Sequence, residues 1–333
     1  MAEDGGVERI QAAMAARSAV RGWSTGAELL ALLRAAHDAG WLSRLRNGAT
    51  AAELAGSSGI AAGQVTDALS VLGNAEVAQA HEDYWLLTPA FAALVDGVAG
   101  IELPAVLAAV DLSRSEIARV AEPVRRLGGA DALTLAEDSG LRVTAGTQTL
   151  FGLIHEALPE FRELLEKGGP LLDVGSGVGG FLLTTTSLFD RLHAVGVEVV
   201  EEVAAELRSR AHQAGLAERV EIRTLDAREL TDEGTFAASF WAQPFFAAEA
   251  RPGTLAAIRR AVRPGGLLLM QELFPPLTEQ AGSRDRLDQL FHRRQGATFG
   301  RSAEELAAEA VAAGFRDPEI VETPLGRLVA VRR

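Results

Sequence analysis

Residues 171–180 read Leu171-Leu172-Asp173-Val174-Gly175-Ser176-Gly177-Val178-Gly179-Gly180. A short apolar run that breaks into closely spaced glycines and then into a helical stretch describes a strand, a tight turn and a helix. Backbone can approach a ligand closely there, at the carboxyl end of a sheet. The alternation continues downstream, with apolar runs at LLDVG, HAVGVE, VEIRTLD, FAASFWA and GLLLMQE separated by longer helical segments. Parallel neighbours need crossover connections, so the text predicts an α/β, Rossmann-like, doubly wound sheet. The closing runs FRDPEIVETP and GRLVAVR are joined by a turn too short for a crossover helix. They are therefore expected to be antiparallel, which makes a seven-stranded mixed sheet with a hairpin at one edge.

The glycine-rich turn has two readings. Gly175, Gly177 and Gly180 satisfy G-x-G-x-x-G, and Glu198 lies near the distance of a ribose-binding acid, so a nicotinamide or flavin site competes. Three details favour S-adenosylmethionine. Asp173 stands two residues before the first glycine, where a buried carboxylate answers a cationic amino group but repels a pyrophosphate. The fingerprint begins after a whole N-terminal domain. Asp226 ends the third strand, where a carboxylate can accept from an adenine amino group.

Upstream, residues 25–94 read as short helices followed by a hairpin, with Thr50 and Ala61 at expected helix starts. That is a winged-helix pattern, suited to dimerisation or to DNA. Acidic residues outnumber basic ones over 25–96, and the third helical piece, AAGQVTDALSVL, carries no Lys or Arg for phosphate, which argues against DNA. Residues 101–167 read as helical linker and lid, with amphipathic stretches at 103–110, 115–127 and 149–167. The expected domains are 1–100, 101–168 and 169–333.

A chain of 333 residues supports two cores. Without cysteine it has neither disulfides nor thiolate chemistry. The acidic start MAEDGGVERIQ does not read as a secretory signal, and no apolar run approaches the roughly 20 residues that cross a bilayer, so the expected setting is the cytoplasm, with no membrane partner. A net charge of −13 disfavours nucleic acid and favours a small or neutral substrate.

Taken together, LLDVGSGVGG, GVEVV, LDARE, RRAVRPGGLLLMQE and AEELAAEAVAAGF followed by two strands make residues 171–333 resemble the class I S-adenosylmethionine-dependent methyltransferase fold. Residues 25–333 resemble the winged-helix O-methyltransferase-like family. The resemblance implies that Asp173 and the backbone of Gly175 and Gly177 hold the methionine end, Glu198 the ribose hydroxyls, and Asp226 with Ala227 the adenine. Trp241 would cover the adenosine or flank the methyl group. A homodimer through the N-terminal domain is implied as well.

In the resembling O-methyltransferases a His-Asp pair stands just after the fourth strand. Here that stretch reads Phe240-Trp241-Ala242-Gln243-Pro244-Phe245-Phe246, without histidine. Gln243 can orient a substrate by hydrogen bonds but cannot take a proton. The candidates for catalysis are Gln243 and His292, the latter between the fifth strand and the last helix. Phe151, His155, Phe245 and Phe291 are candidates for the acceptor pocket, and each also reads as ordinary core packing. No metal-ligand spacing appears; among distant residues only His292 with His155 or Glu272 merits watching. The expected activity is methyl transfer to a small, specialised-metabolite acceptor, with carbon or nitrogen favoured over oxygen because the family base is missing. A cofactor-retaining, non-methylating enzyme or a winged-helix regulator are the alternatives.

Overall fold

A computed structural model describes residues 4–98, 100–124 and 126–333. The first three residues of the acidic start, and Arg125 within the expected stretch at 115–127, lie outside them. The chain divides into two compact units, residues 1–97 and 98–333.

The first unit opens with helix α1 (Asp4–Asp38), then α2 (Trp41–Leu45), α3 (Ala51–Ser58), α4 (Ala62–Asn74), strands β1 (Ala78–His81) and β2 (Tyr84–Leu87), and α5 (Pro89–Val95). Thr50 and Glu53 form the reciprocal cap that starts α3: Thr50 Oγ1 accepts from Glu53 N at 3.1 Å, and Glu53 Oε2 accepts from Thr50 N at 2.8 Å. β1 and β2 pair antiparallel, and an Ala49–Trp85 bridge ties the hairpin back to the start of α3, completing the expected helices-and-wing arrangement. Leu42, Leu45, Leu54, Val65, Leu69 and Leu72 fill its core. The first helix begins about a turn after the N-terminus rather than near Thr25. Gly22, Ser24 and Gly26 suggest a break, but Ser24 Oγ donates to Arg21 O at 2.8 Å inside a continuous helix.

The second unit begins with α6 (Leu103–Ala118), α7 (Gly129–Ser139), α8 (Ala145–Glu156) and α9 (Pro159–Glu166). The expected second linker stretch is not a separate helix: its first residues extend α6, and Pro123 follows in irregular backbone. The sheet and its helices follow: β3 (Leu171–Val174), α10 (Gly180–Leu188), β4 (Ala194–Glu198), α11 (Glu201–Gln213), β5 (Val220–Thr224), β6 (Phe236–Trp241), α12 (Arg251–Ala261), β7 (Val262–Gln271), α13 (Ser283–Arg294), α14 (Ala303–Ala312), β8 (Arg316–Thr323) and β9 (Gly326–Arg332).

The strands lie in the order β5-β4-β3-β6-β7-β9-β8, parallel from β5 to β7, with β9 antiparallel to both β7 and β8. Every residue of β3 and β6 is buried, as helices on both faces demand. One apolar cluster centres on Leu172, Val174, Ile258, Met270 and Leu306, and the other on Phe161, Leu171, Leu182, Leu207 and Leu269. β8 is the edge strand and tolerates Pro318 because its pairing shifts register between Arg316 and Glu319.

Candidate active site

The order reverses between β3 and β4 on one side and β6 on the other, which leaves a crevice at the carboxyl end of β3. A cavity of about 610 Å³ occupies that place, lined in part by Asp173, Gly175, Gly177, Glu198, Asp226, Ala227, Trp241, Phe245, Phe151, His292 and Gln295. All of these belong to the second unit. Of the expected site residues the fold gathers ten around one space; Gln243, His155 and Phe291 are not among its walls.

The turn is built so that side chains stay out. Gly175, Gly177 and Gly179 have φ of 75°, 55° and 91°, the left-handed region that glycine occupies without strain. A Cβ on Gly175 would come within 2.7 Å of Phe246, and one on Gly179 within 2.3 Å of Leu207, whereas Gly177 faces open space. Gly175 N and Ser176 N both donate to Val197 O, at 2.9 and 3.1 Å, fastening the turn to β4.

Asp173 is buried, yet neither carboxyl oxygen has a protein partner. Burial, and then the nearby charge of Glu198, push its pKa up to about 8. Such a group lacks a cation. Glu198 is held differently: Oε1 accepts from Val199 N and Val200 N at 2.8 and 3.0 Å, and Oε2 from Gly177 N at 3.1 Å. Burial still raises its pKa, against those backbone donors. Asp226 accepts from Arg228 N at 2.9 Å and takes the Arg228 guanidinium at 2.9 and 2.6 Å, which lowers its pKa. Arg228 was not anticipated, although a base two residues from an acid in LDARE is a visible signal.

Trp241 is wholly buried, with the Arg251 guanidinium 4.8 Å from its ring centroid and Phe246 edge-on at 5.5 Å. Its Nε1 has no partner. Gln243 is spent within the protein: Nε2 donates to Gln271 O at 3.1 Å, and Oε1 accepts from Arg251 Nη1 at 2.8 Å. Arg251, itself fully buried, also pairs with Glu309, Nε to Oε1 at 2.9 Å. The amide expected to orient a substrate thus braces the segment behind the wall.

His155 sits in an aromatic cluster with Phe161, Phe181 and Phe189, its Nε2 3.2 Å from Thr185 Oγ1. Burial and then Arg162 push its pKa down to about 4, so the ring is neutral in the core. Phe291 packs edge-on against His292 at 5.2 Å, whereas the half-exposed Phe245 reaches the cavity, edge-on to Phe274 at 6.0 Å.

His292 is where the chemistry gathers. Its ring packs against Phe274 and Phe299, at 4.3 and 5.8 Å between centroids, and its Nε2 lies 3.4 Å from Asp288 Oδ1, one helical turn earlier. Burial lowers its pKa, and the Asp288 charge opposes that shift. The ring is neutral at pH 7 and has a carboxylate beside it. Asp288 was missed, although D-x-x-x-H on a helix is legible spacing. Among the described residues no group of three or more His, Asp or Glu side chains is placed to hold a metal ion. No helix among them is long and apolar enough to cross a membrane.

Leu135 and Ala136 of α7, with Gly140 just past its end, close the cavity over the turn. A Cβ on Gly140 would fall 2.1 Å from Val178 and 2.6 Å from Ala136 O, so only glycine lets this helix end settle there. Arg210 Nη1 donates to Gly140 O at 3.0 Å and ties the covering helix to α11.

A buried, cation-seeking carboxylate beside a glycine cradle, with two further acids at the strand ends, suits an adenosyl-sulfonium ligand better than a dinucleotide. In comparisons with known proteins, residues 171–266 match the model of a family described as a methyltransferase domain. The whole chain is similar in fold to solved S-adenosylmethionine-dependent methyltransferases. A candidate O-methyltransferase of Nostoc punctiforme PCC 73102 aligns over 95% of this chain and 98% of its own, with 13% identity and a TM-score of 0.73. Human N-acetylserotonin methyltransferase in complex with S-adenosylmethionine aligns over 96% and 97%, with 15% identity and a TM-score of 0.69. The mitomycin 7-O-methyltransferase MmcR aligns over 97% and 99%, with 20% identity and a TM-score of 0.62. No curated protein matches the sequence. Residues 171–266 carry a methyltransferase domain, whose cofactor is S-adenosylmethionine. The expected leaning toward carbon or nitrogen finds no support: it rested on the histidine missing after β6, and a histidine enters the cavity from α13 instead.

Proposed function

We propose that the chain methylates a hydroxyl group of a small, largely apolar acceptor, with His292 as general base. The observation that carries this reading is that neutral His292, flanked by Asp288, lines the same cavity as the unpartnered Asp173. Two of the similar proteins, the Nostoc punctiforme protein and MmcR, are O-methyltransferases by name, which supports the same choice.

The bound cofactor supplies an electrophilic methyl group on a sulfonium. Asp173 answers the cationic amino group at the methionine end, and the open face of Gly177 leaves room for it. Glu198 holds the ribose hydroxyls; Asp226 and Ala227 border the adenine. Trp241 forms the floor, and Gln243 and Arg251 fix that floor from behind without touching substrate. Displacement at a methyl carbon needs an aligned nucleophile and excluded water, which the apolar walls from α7, Phe151 and Phe245 provide. His292 would take the proton of the acceptor hydroxyl, and Asp288 would stabilise the imidazolium that forms. His155 and Phe291 support these walls from the core.

The chain acts as a homodimer in the cytoplasm. Val7, Ile10, Met14, Val20 and Trp23 of α1 are each more than half exposed in the single chain, which supports a partner for that helix.

Methyl-labelled cofactor is incubated with the protein and a panel of phenols, indoles and aromatic amines, and the labelled atom is identified by NMR. Label on oxygen, reduced about 100-fold or more in kcat by His292→Gln, is the expected result. Label only on nitrogen or carbon would overturn the reading, and cofactor binding without transfer to any acceptor would favour a non-methylating enzyme.

A further inference from the structure

Among the described residues, Gln295 is the one amide in the cavity wall whose two ends are both idle. Its Oε1 and Nε2 are buried and neither has a hydrogen-bond partner, in contrast to Gln243, whose ends are both engaged. Nor is its position loose. Gly296, with φ of 73°, terminates α13 in a Schellman turn: Ala297 N donates to His292 O at 3.1 Å, and Gly296 N to Arg293 O at 3.0 Å. Just beyond, Thr298 N donates to Pro244 O at 2.9 Å and Thr298 Oγ1 to Phe246 O at 2.8 Å, clamping the helix end onto the segment after β6. A buried donor and a buried acceptor, on backbone pinned at a cavity wall, are costly unless a ligand completes them.

We infer that the acceptor presents a neutral amide-type edge, a hydrogen-bond donor beside a hydrogen-bond acceptor, to Gln295. The inference rests on the methyltransferase reading above and narrows its substrate class. A carboxylate offers only acceptors and leaves Oε1 unsatisfied; an ester likewise lacks the donor. A primary carboxamide or lactam matches both ends. His292 lies three residues earlier on the same helix face, where side chains start about 5–6 Å apart, so the amide edge sits next to the hydroxyl that loses its proton. An ortho-hydroxy carboxamide has that spacing.

Full-length protein loaded with S-adenosylhomocysteine is titrated calorimetrically with salicylamide, methyl salicylate and salicylate. Salicylamide is expected to bind at least about tenfold more tightly than either of the others. In Gln295→Met, or in Gln295→Glu where the methionine variant loses its cooperative melting transition, that ratio falls below about threefold. Wild-type protein that binds the three probes equally, or binds none of them, overturns the inference, as does a variant that keeps the amide preference. Failure to bind S-adenosylhomocysteine at all counts against the methyltransferase reading instead, so the two failures are distinguishable.

Discussion

Asp173 stores the conflict between folding and binding in a single side chain. Its pKa stands near 8 in the cofactor-free protein, against an ordinary 3.8, so the folded state holds a proton that the unfolded chain releases. Stability of the free protein therefore falls as pH rises from about 4 to about 8 and levels off above, to the extent that this residue governs it. Urea midpoints measured across that range should show the decline, and Asp173→Asn should flatten it; an unchanged slope would remove Asp173 as its source. His292 titrates in the opposite sense. Its pKa lies below 6.5, so kcat should be flat from neutral pH down to about 6.5 and fall with acidity below it. A pH–rate profile in which His292→Gln keeps that acid limb would exclude it as the base. Asp173 was legible because its place before Gly175 has an electrostatic meaning. Gln295 was not, because a lone glutamine in HRRQG gives no sign that its amide will be buried without partners.

At the scale of elements, the order of strands and helices was readable from periodicity, since burial on both faces forces apolar runs such as Leu171–Val174. That β9 inserts between β7 and β8 was not, because a hairpin fits either way round once its strands are antiparallel. The Arg251–Glu309 pair was also hidden, lying 58 residues apart and made only when α12 meets α14. Removing Arg251 leaves Gln243 and Glu309 short of a buried donor, so Arg251→Ala should cost about 3–5 kcal/mol in denaturant unfolding. A loss under 1 kcal/mol would show the network to be incidental. Gly140→Ala asks a smaller question: a methyl group pressed into Val178 and Ala136 O should cost about 1–3 kcal/mol and loosen α7 over the glycine turn, visible as faster amide exchange there. Unchanged exchange would mean that the turn does not depend on its cover.

For the whole molecule, the acidic surface and the cofactor domain followed from composition and motif order, whereas the length of α1 and its exposed apolar residues did not. If α1 mediates dimerisation, light scattering should give about twice the 35.1 kDa chain mass, and Ile10→Glu with Met14→Glu should halve it. A monomeric wild-type protein would remove the dimer and leave the site intact. Everything proposed about chemistry depends on the buried carboxylate at the end of β3, which calorimetry can interrogate directly. S-adenosylmethionine is titrated into wild type and Asp173→Asn at pH 7 in two buffers of different ionisation enthalpy. Binding to wild type should release close to one proton as Asp173 ionises against the ammonium group, and the variant should bind on the order of 100-fold more weakly with no proton release. Equal affinity and equal proton balance in the two proteins would contradict the placement of the cofactor.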